Sequence, residues 1–371
     1  MIHKVVKHKW VNEKLRELVD EQCAPGFQLA LGWKDQTLGL YEVGHRNAEK
    51  KLPVLRSTFF DLASLTKVLS TVSLIAWMRQ KGLLESFDLP LQRWFPSLQS
   101  ELRNRSLWEL LHHETGLKPT FEKTHDLHGS REERIRFFLA DIDASYLGKG
   151  PFAAVYSDVG FMLLGLVLEQ LQERRLRDLF LETFGKDRRL CFGPIHFRGE
   201  FLASVFKNPQ IAPTWSLDEP PYWLRGIPQD PRAQWMGGDA GHAGLFGTAE
   251  AIEEWGKEFW MSYAGKGVRL SDRVLRELLD RRSESAGRFR GGFDTPSPPS
   301  QAGHLARPES VVGHLGYTGC SFWMDLEKGW RITLLSHRHG PNQDPLRLNQ
   351  FRPLFHDWLH QEIFSKLETW N

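Results

Sequence analysis

Phe60-Asp-Leu-Ala-Ser64-Leu-Thr-Lys67 is the stretch that decides how this chain is read. It sets a hydroxyl and an amine three residues apart at the head of a periodic apolar run, Leu65, Val68, Leu69, Val72, Ile75 and Ala76. That period predicts a helix from Ser64 to Gln80, ending near Gly82. On such a helix Ser64 and Lys67 share one face, opposite the core stripe. A hydroxyl is a weak nucleophile until a base takes its proton, and a buried amine held neutral beside other cationic groups is such a base. At a helix start, free N–H groups and the dipole also favour a developing oxyanion. Ser-x-x-Lys alone is a common string, and Ser204-Val-Phe-Lys207 repeats it. That copy runs into Asn208-Pro209 with no helix to hold the spacing, which leaves Ser64 as candidate nucleophile.

Upstream, Lys4 to Glu21 has an amphipathic helical pattern, and Phe27 to Trp33 and Leu38 to Val43 alternate as two strands about a turn at Lys34-Asp-Gln. Downstream, helical patterns recur over Leu107 to His113, Glu132 to Ala140 and Val159 to Leu171. Residues 190 to 240 then carry seven prolines in a long irregular excursion. Thr248 caps a helix over Ala249 to Phe259, and residues 283 to 310 are again rich in Gly, Pro and Ser. Strand-like runs at Gly316 to Leu326 and Trp330 to Ser336 and a helix near Phe351 to Ile363 close the chain. Strands at both ends and helices between predict an α+β protein: residues 1–62 and 241–371 as one lobe with an antiparallel sheet, and 63–240 as an α-rich lobe whose excursion spans about 185–240.

Two further elements carry chemistry. Tyr156-Ser-Asp158 precedes an apolar helix, where the phenol of Tyr156 can shuttle a proton to a leaving group; the plainer alternative is a buried tyrosine with Asp158 as helix cap. Of two His-x-Gly sites, His242-Ala-Gly244 lies in a turn leading to a helix, whereas His314-Leu-Gly316 enters a strand-like run and is preferred. Gly316 would let a substrate approach the strand edge, and the Tyr317 N–H would join that of Ser64 as a second oxyanion donor.

The totals narrow the class. With 48 basic and 46 acidic residues interspersed at a net charge of +2, no nucleic-acid partner is expected. Three cysteines make neither a disulfide framework nor a zinc site, and His356 and His360 lack a third ligand, so they read as a helix surface; no metal and no cofactor is expected. With no signal peptide or membrane span legible, the expectation is a cytoplasmic enzyme with a small-molecule or peptide substrate. Trp215, Trp223 and Trp235 either face that substrate or anchor the excursion.

Ser-x-x-Lys, Tyr-x-Asp and His-x-Gly occur in the order of the serine β-lactamases and penicillin-binding proteins. Joined by Leu110-Leu-His-His-Glu-Thr-Gly-Leu117, Gly241-His-Ala-Gly-Leu-Phe-Gly-Thr-Ala249 and Gly292-Phe-Asp-Thr-Pro-Ser297, they make residues 25 to 360 resemble the class C β-lactamase-related serine hydrolases. The resemblance implies a β-lactamase/transpeptidase-like fold, Ser64 as acylated nucleophile, Lys67 as base and Tyr156 as proton shuttle, with Asp158, His314, Gly316 and Tyr317 on the substrate and oxyanion side. It implies an amide or ester substrate related to peptidoglycan peptides, cleaved by a D,D-peptidase or muropeptide amidase-like activity. The alternatives are a broad carboxylesterase and a non-catalytic muropeptide- or penicillin-binding sensor. Asp158 and His314 stand where many lactamases carry Asn and Lys, which steers the reading away from efficient β-lactam hydrolysis.

Overall fold

The computed structural model describes residues 8–47, 49, 51–125, 128–185, 189–195, 210–216, 223–280, 287–340 and 343–369. Its strands are β1 (Gly26–Trp33), β2 (Gln36–Asn47), β3 (Leu52–Pro53), β4 (Thr58–Asp61), β5 (Leu190–Phe192), β6 (Gln210–Ile211) and β7 (Thr214–Trp215). They continue as β8 (Trp223–Leu224), β9 (Leu245–Gly247), β10 (Phe289–Arg290), β11 (Phe293–Asp294), β12 (Val311–Leu315), β13 (Ser321–Asp325) and β14 (Trp330–Ser336).

The main sheet is antiparallel in the order β10-β11-β12-β13-β14-β1-β2-β3. The first long strand therefore pairs with the last, Phe27 opposite Ser336 and Trp33 opposite Trp330. Period-two alternation decides which side chains go where. Phe27, Leu29 and Leu31 of β1, with Trp330, Ile332 and Leu334 of β14, pack under the terminal helices His8–Asp20 and Arg347–Leu359 through Val11, Leu15, Phe355 and Leu359. On the opposite face, Ala30, Phe322, Met324 and Leu335 join the larger core, which includes Trp255 and Phe259 of the helix Ala249–Tyr263 and the entire predicted stripe from Leu65 to Ala76. Thr248 caps that helix as expected, accepting from Ala251 N at 3.2 Å. A buried pair, Arg331 with Glu253, crosses from β14 to the same helix at 2.7 Å.

Three elements differ from the sequence reading. The strand expected over Gly316 to Leu326 begins only at Ser321, because Gly316 N bonds Cys320 O at 2.7 Å and Gly319, at φ +110°, closes a tight turn. A strand the composition had hidden, β12, precedes that turn, so His314 lies within a strand, one residue before its end, instead of entering one. His356 and His360 are buried, not surface residues: His356 Nδ1 meets Gln301 O at 3.0 Å, and His360 lies edge-on to Trp330. No helix among the described residues is long and apolar enough to cross a membrane.

Candidate active site

β4 delivers the chain to Asp61, after which Ala63 adopts a left-handed conformation, φ +45°. A non-glycine residue held there costs about 1–2 kcal/mol and persists only where surrounding bonds enforce it. Leu65 N, Thr66 N and Lys67 N then bond the carbonyls three residues back, each at 3.0 Å, so Ser64 sits in a tight turn just ahead of the helix. From Lys67 to Val72 the backbone widens to π-helical winding before the α-helix Ser73–Gln80. Wide winding of this kind is rare and clusters at functional sites. The result places Lys67 Nζ 3.1 Å from Ser64 Oγ.

Lys67 has no exposed side-chain surface, and its three ammonium donors are all engaged: Ser64 Oγ, Asp158 Oδ1 at 2.7 Å and His242 O at 3.2 Å. Tyr156 donates its phenolic proton to Ser64 Oγ at 2.9 Å, and its ring is walled by His113, Phe289 and His314 at centroid distances of 5.0, 5.9 and 5.8 Å. The helix Asp158–Gln172 is capped by Ser157, which accepts from Gly160 N at 3.2 Å. Asp158 is thereby released from the capping role the sequence had left open. It was expected on the substrate side; it spends Oδ1 on Lys67 while still lining the pocket.

This pairing sets the electrostatics around the nucleophile. Burial alone would depress the Lys67 amine, but the adjacent Asp158 carboxylate, followed by Tyr156, outweighs it and holds the amine above its usual value. Burial likewise opposes the charge on Asp158, and Lys67 followed by His242 overcomes it, holding the carboxyl below its usual range. Both shifts favour the charged pair, a lysine ammonium facing an aspartate carboxylate. Burial raises the Tyr156 phenol and, with the Lys67 charge second, lowers His314 to about 3 and His113 well below the ordinary imidazole value. The imidazoles flanking the nucleophile are neutral at neutral pH.

Ser64, Tyr156, Asp158, His314 and Tyr317 all line one pocket of about 590 Å³. His314 bonds Leu315 O through Nδ1 at 2.8 Å, and its buried Nε2 has no partner among the described residues. Tyr317 O accepts from Arg338 Nε at 3.0 Å and His339 Nε2 at 2.9 Å, which pins that peptide. The backbone N–H groups of Ser64 and Tyr317 find no acceptor among the described residues, as oxyanion donors require. A Cβ on Gly316 would stand 2.6 Å from Leu62 O, so the glycine lets the β12–β13 turn approach the nucleophile turn closely.

Several pocket residues escaped the sequence reading. The rejected His-x-Gly belongs to the same site: His242 offers its carbonyl to Lys67, and its Nε2 bonds Asp230 Oδ1 at 2.9 Å. Asp230, N-cap of the helix Pro231–Trp235, lines the pocket with Gln229, Arg232, Arg288 and Asp294. Donor atoms of Asp158, Asp230 and His242 lie within 4.8 Å of one another, yet Lys67 and Arg232, the latter 3.1 Å from Asp230 Oδ2, supply the countercharge. An Asp opening the run Asp230-Pro-Arg-Ala, a helix start, was the one signal available. Trp215 and Trp223 pack on each other and Trp235 on Phe121 and Phe137, none of them among the pocket walls. Ser204 to Lys207 lies outside the described residues.

A family model described as Beta-lactamase matches residues 11–356. The chain belongs to the beta-lactamase family. Within that family, it is 25% identical over 315 residues to an N-acetylmuramyl-L-alanine amidase of Bacillus subtilis (strain 168), covering 78% of this chain and 70% of the relative. A putative D-alanyl-D-alanine carboxypeptidase of Salmonella agona (strain SL483) is also 25% identical, over 327 residues, with coverages of 79% and 73%. Among solved structures, the octameric penicillin-binding protein homologue from Pyrococcus abyssi superposes with a TM-score of 0.71 at 18% identity, covering 96% of this chain and 78% of that one. The fold is the expected β-lactamase/transpeptidase-like one, and this beta-lactamase-family chain is a serine hydrolase.

Proposed function

We propose that the protein forms an ester on Ser64 from a peptidoglycan-related amide or ester and releases it to water. The observation that carries this reading is the double engagement of Ser64 Oγ, by Lys67 Nζ at 3.1 Å and Tyr156 Oη at 2.9 Å, at the floor of an open pocket. Lys67 passes a proton to Asp158 along the 2.7 Å bond and turns the freed lone pair toward Ser64, whose proton it takes as Ser64 attacks the carbonyl. The oxyanion forms between the N–H groups of Ser64 and Tyr317. Tyr156 protonates the departing nitrogen or oxygen and regains its proton from the Lys67–Asp158 pair; water then repeats the sequence in reverse order. Neutral His314 brings no cation to the strand edge, which disfavours efficient β-lactam hydrolysis. The names of the amidase and carboxypeptidase relatives point to cell-wall peptides. One observation favours the ester branch: the Tyr317 carbonyl is already taken by Arg338 and His339 and offers a substrate amide N–H little there.

The test is labelling with a fluorophosphonate followed by peptide mapping, then turnover of purified muropeptides against nitrophenyl esters. The adduct is expected on Ser64 and absent from Ser64→Ala; an unlabelled Ser64 beside a reacting control hydrolase refutes the mechanism.

A further inference from the structure

Asp61 is 2% exposed and takes no part in the chemistry above, yet three walls of the site meet on it. Its Oδ1 accepts from Ala63 N at 2.9 Å, the strained residue immediately before the nucleophile. Its Oδ2 accepts from Gln229 N at 2.6 Å, next to Asp230 on the opposite wall. Its backbone carbonyl accepts from Thr318 Oγ1 at 2.7 Å, immediately after Tyr317. A buried carboxylate without a cation is costly, and it is retained where its bonds do something that packing does not.

We propose that Asp61 is a positioning residue for the reaction at Ser64: it fixes the nucleophile turn, the Gln229–Asp230 wall and the β12–β13 turn in one register, so that the N–H groups of Ser64 and Tyr317 converge on a single oxyanion. The inference rests on the reading of Ser64 as nucleophile. Both carboxylate oxygens must accept for the frame to hold, and a protonated oxygen donates instead. Burial raises the Asp61 carboxyl to about 6 against the two backbone bonds that lower it. The ionisable groups facing it are the Asp230 carboxylate and the Cys320 thiol, whose Sγ lies 3.5 Å from the Asp61 carbonyl. As pH falls through that value, Asp61 gains a proton, one N–H loses its acceptor and the turn loosens.

The experiment follows the second-order rate of Ser64 phosphonylation by a fluorophosphonate between about pH 5 and 9, with kcat and KM for a nitrophenyl ester alongside. The wild-type rate is expected to fall as pH drops through about 6. Asp61→Asn, which has one acceptor oxygen at every pH, is expected to react about tenfold or more slowly at neutral pH and to lack that limb, with the loss in kcat and KM within about twofold. Thr318→Val keeps shape but removes the bond to the Asp61 carbonyl; it is expected to slow labelling about fivefold with the limb retained. A folded Asp61→Asn protein labelling at the wild-type rate overturns the proposal. Should Asp61→Asn fail to fold, the absence of a wild-type limb near pH 6 or an unslowed Thr318→Val protein overturns it equally. No label on wild-type Ser64 at any pH is a different result, the failure of the nucleophile itself.

Discussion

Replacing Tyr156 with Phe removes one atom from the site and almost nothing from the fold. The ring keeps its neighbours His113, Phe289 and His314, and the lost bond to Ser64 Oγ, 2.9 Å long, is worth about 1 kcal/mol of stability. Because burial raises the phenol above its ordinary value, Tyr156 is a proton donor throughout the neutral range. A positioned general acid contributes about 10²- to 10⁴-fold, or about 3 to 5.5 kcal/mol of transition-state stabilisation. That contribution depends on the leaving group. An amide nitrogen cannot depart unprotonated, whereas a nitrophenolate can. Tyr156→Phe is therefore expected to lower kcat/KM for a peptide amide by about 10³-fold and for a nitrophenyl ester by no more than about tenfold, with circular dichroism unchanged. Equal losses on both substrates, or an amide loss below about tenfold, would refute the role of Tyr156 as acid.

Breaking the Lys67–Asp158 pair from one side leaves a buried charge, so Lys67→Met alone is expected to cost about 3–5 kcal/mol in chemical denaturation, and Lys67→Met with Asp158→Leu to recover most of it. Since the Lys67 amine is raised and the Asp158 carboxyl lowered, the pair's stabilisation is present across neutral pH. It is lost only as pH climbs through the raised lysine value or falls through the depressed aspartate one, and melting temperatures should show no transition from it between about pH 5 and 9. His314, uncharged down to about pH 3, should contribute no limb to kcat between about pH 5 and 8; a limb near the ordinary imidazole value that His314→Gln abolishes would contradict this. Gly316→Ala drives a Cβ to 2.6 Å from Leu62 O and is expected to cost about 1–3 kcal/mol and to slow Ser64 labelling more than stability alone explains.

Local pattern made much of this protein legible. The helix stripe from Leu65 to Ala76, the alternation of β1 and the cap at Thr248 are each decided by residues a few positions apart, so the sequence specified them. Ser64, Lys67 and Tyr156 were found through spacing and order, and the structure brings their polar atoms together. Composition misled where backbone bonds overrode it. The Gly- and Ser-containing run before Tyr317 conceals β12, which exists because Val311 to Leu315 pair with Asp325 to Ser321.

What only the tertiary structure decided is the electrostatics and the far wall of the site. Whether Lys67 rests charged depends on a carboxylate 91 residues away in sequence, and whether His314 is charged depends on burial by several elements at once. His242 and His314 both belong to the site, one through a carbonyl that accepts from Lys67 and the other through a side chain that lines the pocket. Sequence spacing governs neighbours along an element, while the pKa of a buried group is set by whatever the fold packs against it, and that distance along the chain is invisible until the chain has folded.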